Sequence, residues 1–292
     1  MLVGISFCAC SSSAPKSTAP PLATAASEYY VSLGDSYAAG WEATGLGGVG
    51  HTTTNGYAYQ LPRLAGALGY HFTVVNFGCG GATSASIRNG RGCAIPGPEA
   101  PNYQNQSQAA AAEAFLTQHS GKIGLVTVSI GGNDLIIDCI SSQDPVGCVR
   151  RAADSITVNL PVLLQGLRAA AGPGVPIVGI TYPDFILGDY LAADPSTRAL
   201  AALSVTSFMD IFNPALQKQY EAVGATFVDV TSGTGAYTPF DQTTTLRPYG
   251  AVPLAVARIC QLTALCQYGD IHPTTAGYTE VADLITSALP KR

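Results

Sequence analysis

A single α/β domain with a parallel sheet covered on both faces is what this sequence predicts. Three observations carry that expectation. Short apolar runs rich in Val, Ile and Phe alternate with longer stretches whose apolar residues recur at helical spacing. The strand-like runs lack polar alternation, so they are buried on both faces, as between two helix layers. Neither an internal repeat nor a second linker divides the body of the chain, residues 28–292.

Each element follows in order. Residues 11–27, rich in Ser, Ala, Pro and Thr, read as a linker too polar to fold alone. Residues 30–33 form the first strand, and 56–68 repeat apolar residues at helical spacing. FTVVNF at 72–77 is β-branched and short, a second strand. The Ala-rich stretch 104–118 is helical, and IGLVTVSI at 123–130 is a buried third strand. Residues 149–171 make a long helix closed by Gly172-Pro173. Residues 175–181 are the fourth strand, 197–223 a helix expected to break near Pro214, 226–230 the fifth strand and 274–289 the last helix. The Gly/Thr/Pro-rich stretch 232–269 shows little regular pattern. Loops of such length are functional or tied down, and Tyr237, Phe240, Tyr249 and Val252 could line an acyl pocket or simply pack.

Composition narrows the function. Only 11% of residues are charged, against roughly 25% in an average globular protein. Net charge is −5 and no Lys/Arg cluster occurs, so the surface repels phosphate backbones and no nucleic-acid partner is expected. Beyond the N-terminus no segment reads as the ~20 apolar residues that span a bilayer.

Cys8 and Cys10 stand apart from six others that fall as near neighbours: Cys79 with Cys93, Cys139 with Cys148, Cys260 with Cys266. Each pair brackets a loop-like stretch, so sequential disulfides are expected, each stabilising by roughly 2–3 kcal/mol. A zinc site would want CxxC pairs with matching histidines, and none is present. Disulfides imply export to an oxidising compartment, hence an extracellular or cell-surface protein. MLVGISFCAC at 1–10 resembles the end of a bacterial lipoprotein signal without its front, with Cys10 as the lipid-bearing, membrane-anchoring residue. A tail with two incidental cysteines is the alternative.

Ligands of open α/β sheets sit at the carboxyl ends of the strands. The segments that follow the first three strands are Gly34-Asp35-Ser36, Gly78 to Thr83 and Gly131 to Asp134, and Asp270-Ile271-His272-Pro273 precedes the last helix. Together they offer a hydroxyl, a glycine backbone, a carboxamide and an imidazole: the inventory of acyl transfer. Taken singly, each is an ordinary turn or loop signal. Of the four histidines, His51, His71 and His119 lie away from these blocks, and only His272 lies beside them.

The blocks GDSY (34–37), FGCGGATS (77–84), GGND (131–134) and DIHP (270–273) resemble, in order, those of the SGNH hydrolases, or GDSL esterase/lipase family, and most closely its secreted actinobacterial members. The resemblance spans nearly the whole body. It implies a flavodoxin-like three-layer α/β/α sandwich with a central parallel sheet. It also implies an esterase or lipase acting through an acyl-Ser36 intermediate, with three sequential disulfides and no metal or organic cofactor. Ser36 would be the nucleophile and His272 its base. The N–H groups of Ser36 and Gly81 and the side-chain amide of Asn133 would form the oxyanion hole. The family's acid usually stands three residues before the histidine, which here is Gly269. Asp270, two before, could reach the ring because positions two apart share a face in extended chain; a main-chain carbonyl is the other option. Asp35 and Asp134 read as loop-shaping groups. A monomer with a small-molecule or lipid ester substrate is expected. An acyltransferase with a sugar or lipid acceptor, and a non-catalytic surface lipoprotein, are the other readings.

Overall fold

The computed structural model describes residues 27–139 and 142–292, with Met1 and Gly4. Cys8, Cys10 and residues 11–26 of the expected linker lie outside the described residues. Strand β1 (Glu28–Gly34) runs into a one-turn helix, α1 (Ser36–Ala39), followed by a short hairpin of β2 (Trp41–Ala43) and β3 (Gly50–Thr52). Then come α2 (Tyr57–Ala65), β4 (Phe72–Asn76), α3 (Ser86–Asn89), α4 (Gln108–Gln118), β5 (Ile123–Ser129) and α5 (Gly132–Cys139). The long α6 (Pro145–Ala171) leads to β6 (Ile177–Ile180), a 3-10 segment at Phe185–Leu191, α7 (Pro195–Ser207), α8 (Asn213–Glu221) and β7 (Thr226–Val228).

Five strands form one parallel sheet in the order β4-β1-β5-β6-β7. Counted along the chain this is second-first-third-fourth-fifth, the doubly wound flavodoxin-like order. The winding direction reverses after β4, and right-handed crossovers then carry the helices to the other face. Accordingly α2 packs with the last helix, α12 (Thr275–Ser287), while α4, α6 and α8 pack side by side. Every residue of β5 is buried, as the unbroken apolar run requires. In α6 the buried set Ile156, Leu160, Leu163, Leu164 and Leu167 recurs at three- and four-residue steps, one stripe facing the sheet.

Two expectations about helices are corrected. No break occurs at Pro214. The chain is helical throughout Pro195–Glu221, passing from α7 to α8 through a π-turn at Phe208–Phe212. Pro214 falls in the first turn of α8, where the wider π-turn absorbs its missing N–H. The fused helix is, by length and composition alone, long and apolar enough to cross a membrane, contrary to the reading that no such segment exists. Here Ala201, Phe208, Phe212, Leu216 and Tyr220 are buried in the protein core.

Residues 232–269 are also more regular than expected. They hold the end of α9 (Val230–Gly233), a hairpin of β8 (Thr243–Leu246) and β9 (Gly250–Pro253), then α10 (Leu254–Leu262) and α11 (Leu265–Tyr268). The helical spacing of α10 is masked in sequence by its Gly/Thr/Pro-rich flanks. It becomes stable by burying Ala255 and Ile259 against Leu187 and Ala201 in a satellite cluster. The six cysteines of the body are bridged as Cys79–Cys93, Cys139–Cys148 and Cys260–Cys266, with Cα separations of 5.7, 5.1 and 5.1 Å.

Candidate active site

The first wall of the site is the end of β1. Gly34 has φ +139° and lies against Ser129 of β5 so closely that a Cβ would strike the Ser129 hydroxyl at 2.7 Å, so only glycine fits. Gly34 is the last β1 residue paired with β5, opposite Ser129. The buried Gln108 side chain braces it, accepting from Gly34 N–H at 2.7 Å and donating to Gly34 C=O at 2.9 Å, a carbonyl that also accepts from Cys79 N–H at 3.0 Å. Asp35 then caps α1, accepting from Tyr37 N–H at 3.0 Å and from the Tyr182 hydroxyl at 2.5 Å. Burial pushes its carboxyl up to about 6, although the Tyr182 and Tyr37 hydrogen bonds oppose the shift. Ser36 is thereby held half-buried at the lip of the turn rather than in the sheet.

The second wall carries His272. Its Nε2 lies 2.8 Å from Ser36 Oγ and its Nδ1 2.6 Å from Asp270 Oδ1. The same Asp270 oxygen accepts from the His272 backbone N–H at 2.9 Å. This side-chain-to-backbone turn is what lets a carboxylate two residues upstream reach the ring. Burial alone would raise the Asp270 carboxyl, but its bonds to the His272 ring and N–H hold it below the usual carboxylate range. The loop itself is anchored on three sides. Tyr37 OH donates to Ile271 C=O at 2.8 Å, Ala264 N–H to His272 C=O at 2.9 Å, and Thr274 N–H to Leu262 C=O at 2.9 Å. The Cys260–Cys266 bridge joins α10 to α11 around those last two bonds. Trp41 sits with its ring centroid 5.9 Å from that of His272.

The third wall is the pair of loops after β4 and β5. Gly81 has φ +82°, in the left-handed region that favours glycine, two residues after the β-bridge of Cys79 with Pro96. Asn133 donates one amide hydrogen to Ala82 C=O at 2.9 Å, which orients the carboxamide and leaves its second hydrogen available. Asp134 ties the two loops together, accepting from Ser84 N–H at 2.8 Å and Ser84 Oγ–H at 2.6 Å. A small cavity of about 10 Å³ lies among Ser36, Asn133, Tyr182, Phe185, Ile136 and Ile271.

Ser36, Asp270, His272, Gly81 and Asn133 thus fall on three neighbouring walls at the sheet's switch point. The other histidines do not: His119 stacks on Phe115 with ring centroids 4.0 Å apart, and His51 lies on the β2–β3 hairpin. Tyr237 and Phe240 pack against the satellite cluster, Val252 is buried, Tyr249 is exposed, and none of the four borders the cavity. Gln108, Tyr37, Tyr182 and Trp41 were not singled out from the sequence. Their partners lie far away in the chain, so no local spacing marks them.

The profile of the GDSL-like lipase/acylhydrolase family matches residues 32–279. Lipase 1 of Streptomyces coelicolor is 28% identical over 228 residues, 73% of each chain. Among solved structures, the native aryl esterase of M. smegmatis aligns at 15% identity and a TM-score of 0.46, covering 90% of this chain and 98% of that one. A gut microbial diltiazem-metabolizing enzyme aligns at 14% identity and a TM-score of 0.50, covering 90% of this chain and 46% of its own. The last likeness is one of fold alone.

Proposed function

The chain belongs to the GDSL-like lipase/acylhydrolase family, and from that premise we propose that it is an exported serine esterase working through an acyl-Ser36 intermediate. Membership makes it a carboxylic ester hydrolase. The finer reading is carried by one observation: Ser36 Oγ, both ring nitrogens of His272 and Asp270 Oδ1 stand in one hydrogen-bonded line of 2.8 and 2.6 Å.

In that reading His272 Nε2 takes the Ser36 proton as Oγ attacks the ester carbonyl, and Asp270 stabilises the imidazolium that forms. The developing oxyanion accepts from the N–H groups of Ser36 and Gly81 and from the free amide hydrogen of Asn133. Collapse of the tetrahedral species breaks the carbon–oxygen bond, and His272 returns its proton to the leaving alcohol. Water then repeats the cycle on the acyl-enzyme and releases the acid.

The acyl group we assign is short. The cavity beside Ser36, about 10 Å³ and walled by Tyr182 and Phe185, has room for roughly one methyl-sized group. Three disulfides in the hydrolase domain, residues 28–292, support a place outside the cytoplasm.

Residues 28–292, produced in an oxidising compartment, would be assayed on p-nitrophenyl esters from acetate to palmitate beside Ser36→Ala. We expect turnover highest on acetate, falling along the series, and reduced by about 10⁴-fold or more in the variant. Equal rates in the folded wild type and variant would sink the serine-esterase reading; a palmitate optimum would sink only the short-acyl assignment.

A further inference from the structure

A second cavity, larger than the one beside Ser36, adjoins the His272 loop. A cleft of about 450 Å³ opens between the β2–β3 hairpin and the segment Pro273–Thr275, immediately after His272. We propose that this cleft is the alcohol subsite, and that it takes a neutral polyhydroxylated alcohol: the sugar portion of an O-acylated carbohydrate. The inference rests on the hydrolase reading of Ser36 and His272 and deepens it by naming the substrate class.

The direction of proton transfer supplies the first argument. His272 Nε2 must deliver its proton to the leaving oxygen, so the alcohol has to lie on the His272 side of the ester. The carbonyl oxygen points the other way, towards Asn133 and the Ala82 loop. The polar cleft shares its wall with the His272 loop, whereas the small apolar cavity shares its wall with Asn133. Acyl and alcohol portions therefore have separate places, one with room for about a methyl group and one within the usual 300–1,000 Å³ of ligand pockets.

Chemistry of the lining supplies the second. Among the described residues bordering the cleft there is no lysine or arginine, so an anionic alcohol would find no counter-charge. Glu42 is already engaged, accepting from Thr53 Oγ1–H and Asn55 Nδ2–H at 2.7 Å each and from Thr275 Oγ1–H at 2.6 Å. That three-way clamp holds the hairpin to the start of α12, so the two walls of the cleft are fixed before any ligand arrives. His51, Gln267 and Tyr268 present an imidazole, a carboxamide and a phenol to the open space. Donors, acceptors and one aromatic face together suit a sugar ring, whose hydroxyls alternate in the same way. A long alkyl or acylglycerol alcohol would strip water from these groups without replacing its hydrogen bonds.

The test compares kcat/KM on a partly acetylated β-1,4-xylo-oligosaccharide with that on p-nitrophenyl acetate, whose alcohol portion has no hydroxyls to read. Wild type, His51→Ala and Gln267→Ala are measured, the two variants changing opposite walls. We expect the sugar-to-nitrophenyl ratio to fall about five- to tenfold in each, mainly through KM on the sugar ester. An unchanged ratio in both variants overturns the inference, and so does a wild type that cleaves p-nitrophenyl acetate but not the acetylated sugar. Because p-nitrophenyl acetate has no alcohol hydroxyls for the cleft to read, its loss in Ser36→Ala keeps the hydrolase reading separately testable.

Discussion

Asp35 stands beside Ser36 and Asp270 bonds the His272 ring, yet their surroundings push the two carboxyls in opposite directions. Burial lifts Asp35 to about 6, while two hydrogen bonds from His272 hold Asp270 low despite its own partial burial. Asp270 therefore stays ionised across the neutral range, which is what stabilising an imidazolium requires. Replacing Asp270 by Asn should cut kcat on p-nitrophenyl acetate by about 10³–10⁴-fold with the fold intact, measured beside a thermal melt. Asn133→Ala should cost about 10²–10³-fold in kcat with little change in KM, because its free amide hydrogen is offered to the transition state rather than to the substrate. In the sequence Asp270 rests on a spacing of two in an assumed extended segment. The contact arises otherwise, from a turn in which its Oδ1 also accepts the His272 N–H. An Asp-x-His reading as a side-chain-capped turn was available to sequence reasoning, since aspartate bonds two residues ahead in such turns.

α10 and α11 act as the bracket for the His272 loop, through Ala264 N–H to His272 C=O and Thr274 N–H to Leu262 C=O. The Cys260–Cys266 bridge closes that bracket, whereas Cys139–Cys148 ties α5 to α6. Replacing both cysteines of either bridge by Ser should cost about 2 kcal/mol in the thermal melt, given loops of this size. Activity should separate them: kcat should drop severalfold more for Cys260→Ser/Cys266→Ser, read at a temperature where both variants are fully folded. Equal kcat in the two pairs would show that the His272 loop holds its shape without the bracket. The partners of these bridges were legible because they are near neighbours in the chain. The helix α10 that carries Cys260 was not, because only burial against Leu187 and Ala201 makes so short a segment stable.

At the scale of the whole molecule, the segment that follows β6 is tied to α7 at Asp184, which is buried and accepts from Ile186 N–H at 3.1 Å and Ser204 Oγ–H at 2.7 Å. Burial pushes its carboxyl up to about 7. A raised carboxyl binds its proton more tightly folded than unfolded, so its stabilisation is full below about pH 4 and is lost as pH rises through 7. Asp184→Asn should therefore gain on the wild type between pH 5 and 8, by an amount on the order of a few kcal/mol, seen as a widening gap in Tm. A constant gap would show that the folded-state carboxyl is not raised. The order of strands and helices, the near-neighbour cysteines and the four blocks at the strand ends were all determined by sequence, because apolar period and turn chemistry act over a few residues. Tertiary structure alone decided what braces those blocks: Gln108 on Gly34, Tyr182 on Asp35 and Tyr37 on Ile271, pairs 74, 147 and 234 residues apart. It alone also opened the polar cleft beside His272. Such contacts follow from the sheet's winding, which brings distant segments to one edge, and no local pattern encodes which of them will meet.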